Sequence, residues 1–463
     1  MNGTNRPLTQ LFAEFCHELK YDDLPAEVVQ AAKDHLLDAL GVGLAASSLS
    51  FAPSLKKAVD ALGAGEESTA LGFAKKLSAP SAALLNGTFI HSLEYDDTHI
   101  ASVIHGSSVI IPAALTLAEK EGLSGRDLIR AIVIGWELLI RLGLGAPGLF
   151  QANGFQTTAV CGPFAAAVIG STLMGLDVDR TVHAMGIAGS QSSGVFEFLS
   201  NGSTVKALHP GWAAHAGIIA AYLARGGMTG PTTILEGRFG LYGTYARTDS
   251  IEETLRKYFT ELGEIWYLPE AALKTYPCCH YIHSFLECLQ NLMDDGLSTD
   301  QINSIHCYVP IEEAPIISEP WERRLHPSSG YEAKFSLPYC LASLLLDGEV
   351  NVTTFDRTSI KEEVLPIARK ITYTPLSGTE FPKRFPGHLE VNLTSGQKRS
   401  AFVPDVKGSL HRPLTSEEIR RKFIGNSQRK LVSEGIERVI EEVYQLDKAI
   451  NLKLLSKALR SVM

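Results

Sequence analysis

The chain lacks a cysteine framework, because its seven cysteines are an odd number without regular spacing. Only Cys278 and Cys279 are neighbours, and adjacent cysteines are not the CxxC pair of a thioredoxin-like redox site. This pattern is typical of reduced thiols in the cytosol rather than of a secreted, disulfide-bonded scaffold. We therefore predict free thiols and a cytoplasmic protein.

A broad basic surface is also missing, since 42 lysines and arginines stand against 51 aspartates and glutamates. The net charge of −9 argues against nucleic acid as a partner, which needs a basic face. Net charge says nothing about local arrangement, so a small basic pocket for an anionic substrate is compatible with it.

No segment has the composition of a leader or a membrane span. The first residues, M-N-G-T-N-R-P-L, lack the apolar run that follows the basic start of a signal peptide. Residues 151–176 hold no charged side chain and are long enough to cross a bilayer. They are nevertheless rich in Ala, Gly, Ser and Thr and contain Pro163, which favours a helix buried inside a protein. We predict a soluble chain with no membrane partner.

The common catalytic and metal-binding motifs are absent. There is no P-loop, no G-x-S-x-G and no H-E-x-x-H, and the G-x-G-x-x-G at 143–148 follows a helical pattern instead of a strand. That run therefore indicates a helix end and a turn. His280 and His283 are three residues apart, but neither they nor the cysteines have zinc-finger spacing. We predict no metal site.

Apolar periodicity indicates helices over the first part of the chain. Residues 25–41 begin with Pro25, which a first turn tolerates, and we expect the helix to stop at Gly41. The pattern returns over 127–142, and residues 213–224 are small and apolar nearly all round. Small residues let helix axes approach closely, so a dense helical core is expected.

The pattern changes near Lys274. Residues 302–309 are typical of a strand, and 388–403 of two strands joined by a turn near Ser395 and Gly396. Between them, 335–348 indicates a helix capped by Ser336, with Pro338 in its first turn.

After Pro413 the pattern is helical again, with a capping box formed by Thr415 and Glu418. The predicted fold is mainly α. A large all-helical domain comprises residues 1–268 and is completed by the C-terminal helices of residues 408–463, and a smaller α+β domain comprises 269–407.

Three polar segments interrupt apolar surroundings. The first, S-L-E-Y-D-D-T-H-I-A-S-V-I-H-G-S-S at 92–108, is dense in carboxylates and imidazoles; the second holds Lys206 and His209, and the third Lys274 and His283. Lysines beside an apolar helical domain suit the binding of carboxylates, and histidines suit proton transfer near neutral pH. The residues themselves thus favour an enzyme for an anionic small molecule.

Several runs together resemble the MmgE/PrpD family, and their order covers nearly the whole chain. They are N-G-T-F-I-H-S-L-E-Y-D-D-T-H at 86–99, H-G-S-S at 105–108, G-F-Q-T-T-A-V-C-G at 154–162, T-V-K-A-L-H-P-G at 204–211, K-T-Y-P-C-C-H-Y-I-H at 274–283, A-K-F-S-L-P-Y at 333–339 and R-P-L-T-S-E-E at 412–418. The resemblance implies an all-helical domain with an α+β lid domain, a homodimer without a cofactor, and an active site between the domains for di- or tricarboxylates.

The resemblance also implies the site residues. Those expected to be catalytic are His105, Lys206, Lys274, His283 and Asp97, and those expected to bind substrate are Glu94, Thr98 and Gln156. Among them, His105 resembles the leading acid/base, the two lysines resemble carboxylate-binding groups, and Asp97 and Thr98 resemble groups that position the substrate or orient the histidine.

Two positions depart from the family pattern. Gln156 stands where several members have a histidine, and Cys279 stands where the animal cis-aconitate decarboxylase type has one. Gln can hydrogen-bond a substrate but is no comparable proton donor or acceptor.

The expected function is a cofactor-independent lyase on a small di- or tricarboxylate, either dehydrating a 2-methylcitrate-like acid or decarboxylating a cis-aconitate-like acid. Alternatives are an epimerase or isomerase of an amino- or imino-dicarboxylate, a polycarboxylate-binding homologue without catalysis, and a metal hydrolase.

Overall fold

The computed structural model describes residues 6–463 with the exception of 64, 201–202, 249–250, 357–360 and 382. It is 58% helical and 9% strand, which confirms the predicted, mainly α fold class. The chain forms two compact units. Unit 1 comprises Met1–Ser92, Asp96–Ala271 and Thr415–Met463, and unit 2 comprises Leu93–Tyr95 and Ala272–Leu414.

The α-helices of the described residues are numbered in chain order. They are α1 Leu8–Glu18, α2 Ala26–Ser47, α3 Ala52–Asp60, α4 Ala79–Ser92, α5 Ser107–Glu121, α6 Gly125–Gly145, α7 Leu149–Ala152, α8 Thr157–Leu173, α9 Val178–Gly189, α10 Leu208–Arg225, α11 Glu252–Thr260, α12 His283–Asp294, α13 Ala314–Ile317, α14 Trp321–Leu325, α15 Gly330–Ala333, α16 Leu337–Asp347, α17 Val352–Phe355, α18 Leu365–Ala368, α19 Ser416–Ser427, α20 Ser433–Tyr444 and α21 Lys453–Leu459. The strands are β1 Ser68–Thr69, β2 Lys76–Leu77, β3 Ile302–Pro310, β4 Ile371–Leu376, β5 Gly387–Leu393 and β6 Lys398–Val403.

In unit 1, α10 packs against both α8 and α4, and small residues at the contacts make this close packing possible. A Cβ on Gly217 of α10 would lie 2.4 Å from the Cβ of Ala166 on α8. Likewise, a Cβ on Gly87 of α4 would lie 2.6 Å from the Cα of Gly211. The predicted buried helix within 151–176 is confirmed as α8, whose residues are almost all buried.

One predicted helix end is wrong. Helix α2 continues through Gly41 to Ser47 instead of stopping at the glycine. A Cβ at position 41 would lie 3.0 Å from the ring of Phe423 and 3.2 Å from its Cα, so the missing side chain admits α19. Here glycine serves a close approach of two helices, which outweighs its unfavourable helix propensity. By contrast, the predicted helix end at 143–148 is confirmed, since α6 ends at Gly145.

Unit 2 is built around a four-stranded sheet of order β4-β3-β5-β6. Strand β3 pairs antiparallel with β5 and parallel with β4, and β5 pairs antiparallel with β6. The predicted strand at 302–309 and the hairpin around Gly396, which has φ 84°, are confirmed. Strand β4 was not predicted. Helix α12 packs on β5 and β6 and on α16.

Two predicted helix caps are confirmed. The Ser336 side chain accepts a hydrogen bond from the amide of Tyr339, with Pro338 in the first turn of α16. At the start of α19, the Thr415 side chain accepts from the Glu418 amide while the Glu418 carboxylate accepts from the Thr415 amide.

Within the described residues, no single helix is both long and apolar enough to span a membrane. The pair Ala26–Ser47 and Ala52–Asp60 meets the length and composition criteria only when taken together, across a bend of 98°.

Candidate active site

The polar groups of unit 1 gather where four helices begin or end. His91 lies in the last turn of α4, Ser107 opens α5, Gln156 immediately precedes α8, and His209 lies in the first turn of α10. These helices pack on one another in pairs, α4 with α5 and α10, and α8 with α5 and α10. Helix ends carry backbone groups without intrahelical partners, so polar side chains are accommodated there.

The carboxylate of Asp97 is completely buried and fixes the start of α5. Its Oδ1 accepts from the Ser107 amide at 3.0 Å, and its Oδ2 accepts from the Ser107 hydroxyl and lies 2.5 Å from Nδ1 of His35 on α2. The side chain of Asp97 is therefore engaged by α2 and α5, while its main-chain carbonyl faces His105. An orienting effect of Asp97 on that histidine passes through this carbonyl.

His105, the predicted acid/base, is held in one orientation by three contacts. Its Nδ1 lies 3.0 Å from the carbonyl of Asp97 and 3.2 Å from the hydroxyl of Thr98, and its amide donates to the Thr158 hydroxyl at 2.9 Å. Since a carbonyl only accepts, Nδ1 bears the proton. In the neutral ring Nε2 then carries the lone pair, which suits proton transfer. The side chain is 16% exposed.

A series of hydrogen bonds runs from the buried Asp96 to the partly buried His209. Asp96 Oδ2 lies 2.7 Å from Nδ1 of His91, Nε2 of His91 lies 3.1 Å from Nε2 of Gln156, and Oε1 of Gln156 lies 2.8 Å from Nδ1 of His209. The His91 and His105 rings lie 5.0 Å apart, which joins this series to the predicted acid/base.

The series of hydrogen bonds ends at His209, and the positive charge of Lys206 acts on that ring. Lys206 lies in the 3-10 turn Thr204–Ala207, which leads directly into α10. Burial, the largest cause, and the charge of Lys206 lower the pKa of His209 to about 4. The ring of His209 is therefore neutral at pH 7, and Lys206 supplies the positive charge beside it.

Three side chains of this network are close enough to hold a metal ion. Ligand atoms of His91, Asp96 and His105 all lie within 4.8 Å of one another. However, Nδ1 of His91 already meets the Asp96 carboxylate and Nδ1 of His105 the Asp97 carbonyl. A series of proton donors and acceptors describes the arrangement better than a set of ligands directed at one point.

In unit 2, Lys274 is tied to the short segment that includes Glu94. Its ammonium donates to the main-chain carbonyl of Glu94 at 3.0 Å, and the Tyr95 hydroxyl donates to the carbonyl of Thr275 at 3.1 Å. Glu94 has φ 53°, a left-handed conformation that is uncommon for a residue with a side chain. Lys274 is 1% exposed, so its charge is buried.

His283 opens α12 and is buried among rings and a thiol. Its Nε2 lies 3.3 Å from the carbonyl of Cys278 and its Nδ1 lies 3.4 Å from the hydroxyl of Thr275. Burial alone raises the pKa of the Cys278 thiol, but hydrogen bonding to Cys340 and the charge of His283 outweigh it and lower the pKa to about 6. Positive charge near a buried thiol favours its ionised form.

The structure sorts the predicted site residues by unit. Five of them lie in unit 1. The network includes Asp97, Thr98, His105 and Gln156, and Lys206 acts on the network through its charge. Glu94, Lys274 and His283 lie in unit 2. The roles predicted for all eight remain predictions.

Sequence reasoning did not place several members of the network in the site. They are His35, His91, Asp96, Ser107 and Thr158. Asp96 lies in the acidic and histidine-rich segment and His91 directly precedes it, so local density was an available signal for both. His209 was noted beside Lys206 but was given no role in the site. His35 lies in an ordinary apolar helical pattern, which gives no such signal.

Two features define the class of protein. One is a mainly helical unit with a network of imidazoles and carboxylates at its helix ends. The other is a smaller α+β unit that contains a buried lysine and a buried histidine. Comparison with known proteins identifies it. Residues 10–254 match the MmgE/PrpD N-terminal domain and residues 276–447 match the MmgE/PrpD C-terminal domain. The chain belongs to the MmgE/PrpD family, which confirms the resemblance.

Individual relatives match over almost their full length. A cis-aconitate decarboxylase-like protein of Aspergillus oryzae is 30% identical, with 95% of both chains covered. A cis-aconitate decarboxylase of Aspergillus terreus is 27% identical over 89% of this chain and 88% of its own. The human cis-aconitate decarboxylase is 27% identical over 98% of this chain and 95% of its own.

Proposed function

We propose that this chain is a lyase for a small di- or tricarboxylate and that it transfers a proton at a carbon next to a carboxylate or its vinylogue. The observation that carries the proposal is the likeness, over nearly the whole chain, to relatives named cis-aconitate decarboxylase. The first candidate reaction is therefore decarboxylation of a cis-aconitate-like acid. Independence of any cofactor and assembly as a homodimer, both implied by the family, belong to the proposal.

The chemistry of such a decarboxylation needs one acid and a positive environment. The bond to the departing carboxylate breaks and its electron pair forms a new double bond, while the original double bond takes a proton at its far carbon and carbon dioxide leaves. His105 suits the acid, since its Nδ1 is held by the Asp97 carbonyl and its imidazolium would deliver the proton from Nε2. Lys206 suits the stabilisation of negative charge on a substrate carboxylate.

Lys274 and His283 keep their predicted roles, carboxylate binding and proton transfer, as proposals for unit 2. An ammonium group has three donors, and the hydrogen bond to the Glu94 carbonyl uses one of them. The positive charge at Lys274 is thus available to a carboxylate without loss of that bond.

Dehydration of a 2-methylcitrate-like acid is the second candidate, and a specific observation favours it. Loss of water needs a base for the carbon-bound proton and an acid for the departing hydroxide. Among the imidazoles of the unit 1 network are His105 and His209, each with Nδ1 engaged by an oxygen acceptor. An acid and a base of equal chemical type are therefore present together.

The deciding experiment offers the purified chain methylcitrate, citrate, cis-aconitate and aminodicarboxylates in D₂O and follows them by proton NMR. We expect loss of carbon dioxide from cis-aconitate, or else loss of water from methylcitrate. Deuterium incorporation with inversion, without loss of either group, would instead identify an epimerase. Calorimetric binding without any turnover would identify a binding homologue and end the enzyme proposal.

Three further measurements accompany the panel. A chelator and metal analysis test the metal alternative, because stoichiometric metal with loss of turnover on chelation would contradict a cofactor-independent reaction. The variant His215→Asn tests specificity, since His215 lies on α10 and bonds the Pro80 carbonyl at 3.0 Å, outside the network. Sedimentation of the purified chain tests the homodimer.

A further inference from the structure

The tautomer of His91 follows from its partner Asp96. A carboxylate accepts hydrogen bonds and donates none, so Nδ1 of His91, at 2.7 Å from Asp96 Oδ2, must bear a proton. A neutral His91 therefore has its lone pair on Nε2. That nitrogen lies 3.1 Å from Gln156, which must present its amide nitrogen there as the donor.

Gln156 passes this assignment on to His209. With its nitrogen directed at His91, the amide directs Oε1 at Nδ1 of His209, 2.8 Å away. An amide oxygen only accepts, so Nδ1 of His209 bears the proton and Nε2 carries the lone pair. We propose that His209 is a proton-accepting side chain of the reaction and that Gln156 holds it in the tautomer whose Nε2 can accept.

The electrostatic surroundings support this assignment. The titratable groups that act on His209 are His91, through Gln156, and Lys206 in the preceding turn, while its ring also meets the ring of Phe198 edge-on at 5.8 Å. Burial, the largest cause, lowers its pKa to about 4, which keeps the ring neutral at pH 7. An anionic substrate would raise that pKa again by stabilising the imidazolium, so the base strengthens when substrate arrives.

The inference rests on the proposed function and adds one balanced step to it. A C–H bond of the carbon next to a substrate carboxylate breaks, and its electron pair moves into that carboxylate, beside the charge of Lys206. The proton goes to Nε2 of His209 and gives an imidazolium whose Nδ1–H still bonds Gln156. Return of a proton to carbon reverses the step, and exchange of the imidazolium with D₂O makes the returned atom deuterium.

The first test measures the tautomer and needs no turnover. The chain is labelled with ¹⁵N-histidine, and His209 is assigned by comparison with His209→Asn. We expect an unprotonated Nε2 and a protonated Nδ1 at pH 7, and in Gln156→Leu a mixture of tautomers for the same ring. A protonated Nε2 in the parent chain would overturn the proposal, whether or not the chain is a lyase.

The second test measures deuterium incorporation into the methylene group of citrate or cis-aconitate. The variant His209→Asn keeps a donor for Gln156 Oε1 but has no basic nitrogen, so the exchange rate should fall by about 100-fold or more. His215→Asn, the same substitution on the same helix, should leave the rate unchanged.

The outcomes separate the two proposals. Loss of exchange in His209→Asn with retained decarboxylation supports His209 as the base and leaves the lyase intact. Exchange that persists in His209→Asn, or no exchange in a parent chain that turns over, overturns the role of His209 but not the lyase. A parent chain with the expected tautomer but neither exchange nor turnover overturns both the base role and the proposed function.

Discussion

The two units hold their histidines in different ways. In unit 1, His91 and His209 bond to other side chains, and His105 meets the Asp97 carbonyl and the Thr98 hydroxyl through Nδ1, so Nε2 is the nitrogen proposed to exchange a proton. In unit 2, His283 meets a main-chain carbonyl through Nε2 and a hydroxyl through Nδ1. A main-chain carbonyl fixes the proton on the ring nitrogen that faces it, which is Nδ1 in His105 and Nε2 in His283. We therefore expect turnover to depend more strongly on His105 in unit 1 than on His283 in unit 2.

The largest expected effect tests this contrast directly. His105→Asn keeps a donor for the Asp97 carbonyl but removes the proton-transferring nitrogen, so turnover should fall about 10²- to 10⁴-fold. His283→Asn should lower turnover only about 10-fold, since Nε2 of that ring already faces a carbonyl. Steady-state kinetics on the best substrate of the panel gives both values.

Circular dichroism controls for folding in the same two variants. An equal loss of turnover with both folds intact would remove the proposed difference between the units. A larger loss in His283→Asn would reverse it and would make unit 2 the source of the acid.

The next effect concerns stability. Asp97→Ala leaves the ring of His35 and both donors of Ser107 without their buried acceptor, which should cost about 3 kcal/mol. Asp177→Ala is the matched exposed control, because Asp177 caps α9 by accepting from the Arg180 amide at 2.8 Å. Loss of such a cap typically costs about 1 kcal/mol. Urea unfolding of the two variants measures the difference, and equal costs would mean that the Asp97 contacts add nothing beyond a cap.

Local patterns predicted much of the fold because they act over short distances. The caps at Ser336 and Thr415 and the hairpin at Gly396 each depend on residues within a few positions of one another. The helix end predicted at Gly41 was wrong because the role of this glycine is set by its contact with Phe423, a residue far along the chain. Strand β4 was missed for a related reason: most of its residues are not buried, so it lacks a clear apolar alternation.

The site shows the same limit. Asp97, Thr98 and His105 lie in one short segment, so their density in the sequence pointed to them, and the structure joins all three by hydrogen bonds. His35 escaped notice because its link to Asp97 arises only when α2 packs beside α5. The connection of Gln156 to His91 and His209 likewise depends on helix packing that no local pattern encodes.

The smallest expected effect is a difference in the pH dependence of stability. His209 has a folded pKa of about 4, below its ordinary value of 6.5. Between these two values the unfolded chain binds a proton that the folded chain does not, so stability falls as the pH falls from 6.5 towards 4.

Cys278 has a folded pKa of about 6, below its ordinary value of 9.0. In that window the folded chain has released a proton that the unfolded chain retains, so stability rises as the pH rises from 6 to 9.

Thermal unfolding of variants assigns each window to its unit. His209→Asn should reduce the fall in melting temperature below pH 6.5 and leave the alkaline side unchanged. Cys278→Ser should reduce the rise in melting temperature between pH 6 and 9 and leave the acidic side unchanged. Cys288→Ser is the matched control for the thiol, because burial raises the pKa of Cys288 to about 12 and so removes it from the window. If Cys278→Ser and Cys288→Ser have the same alkaline dependence, the pKa of Cys278 is not lowered in the folded chain.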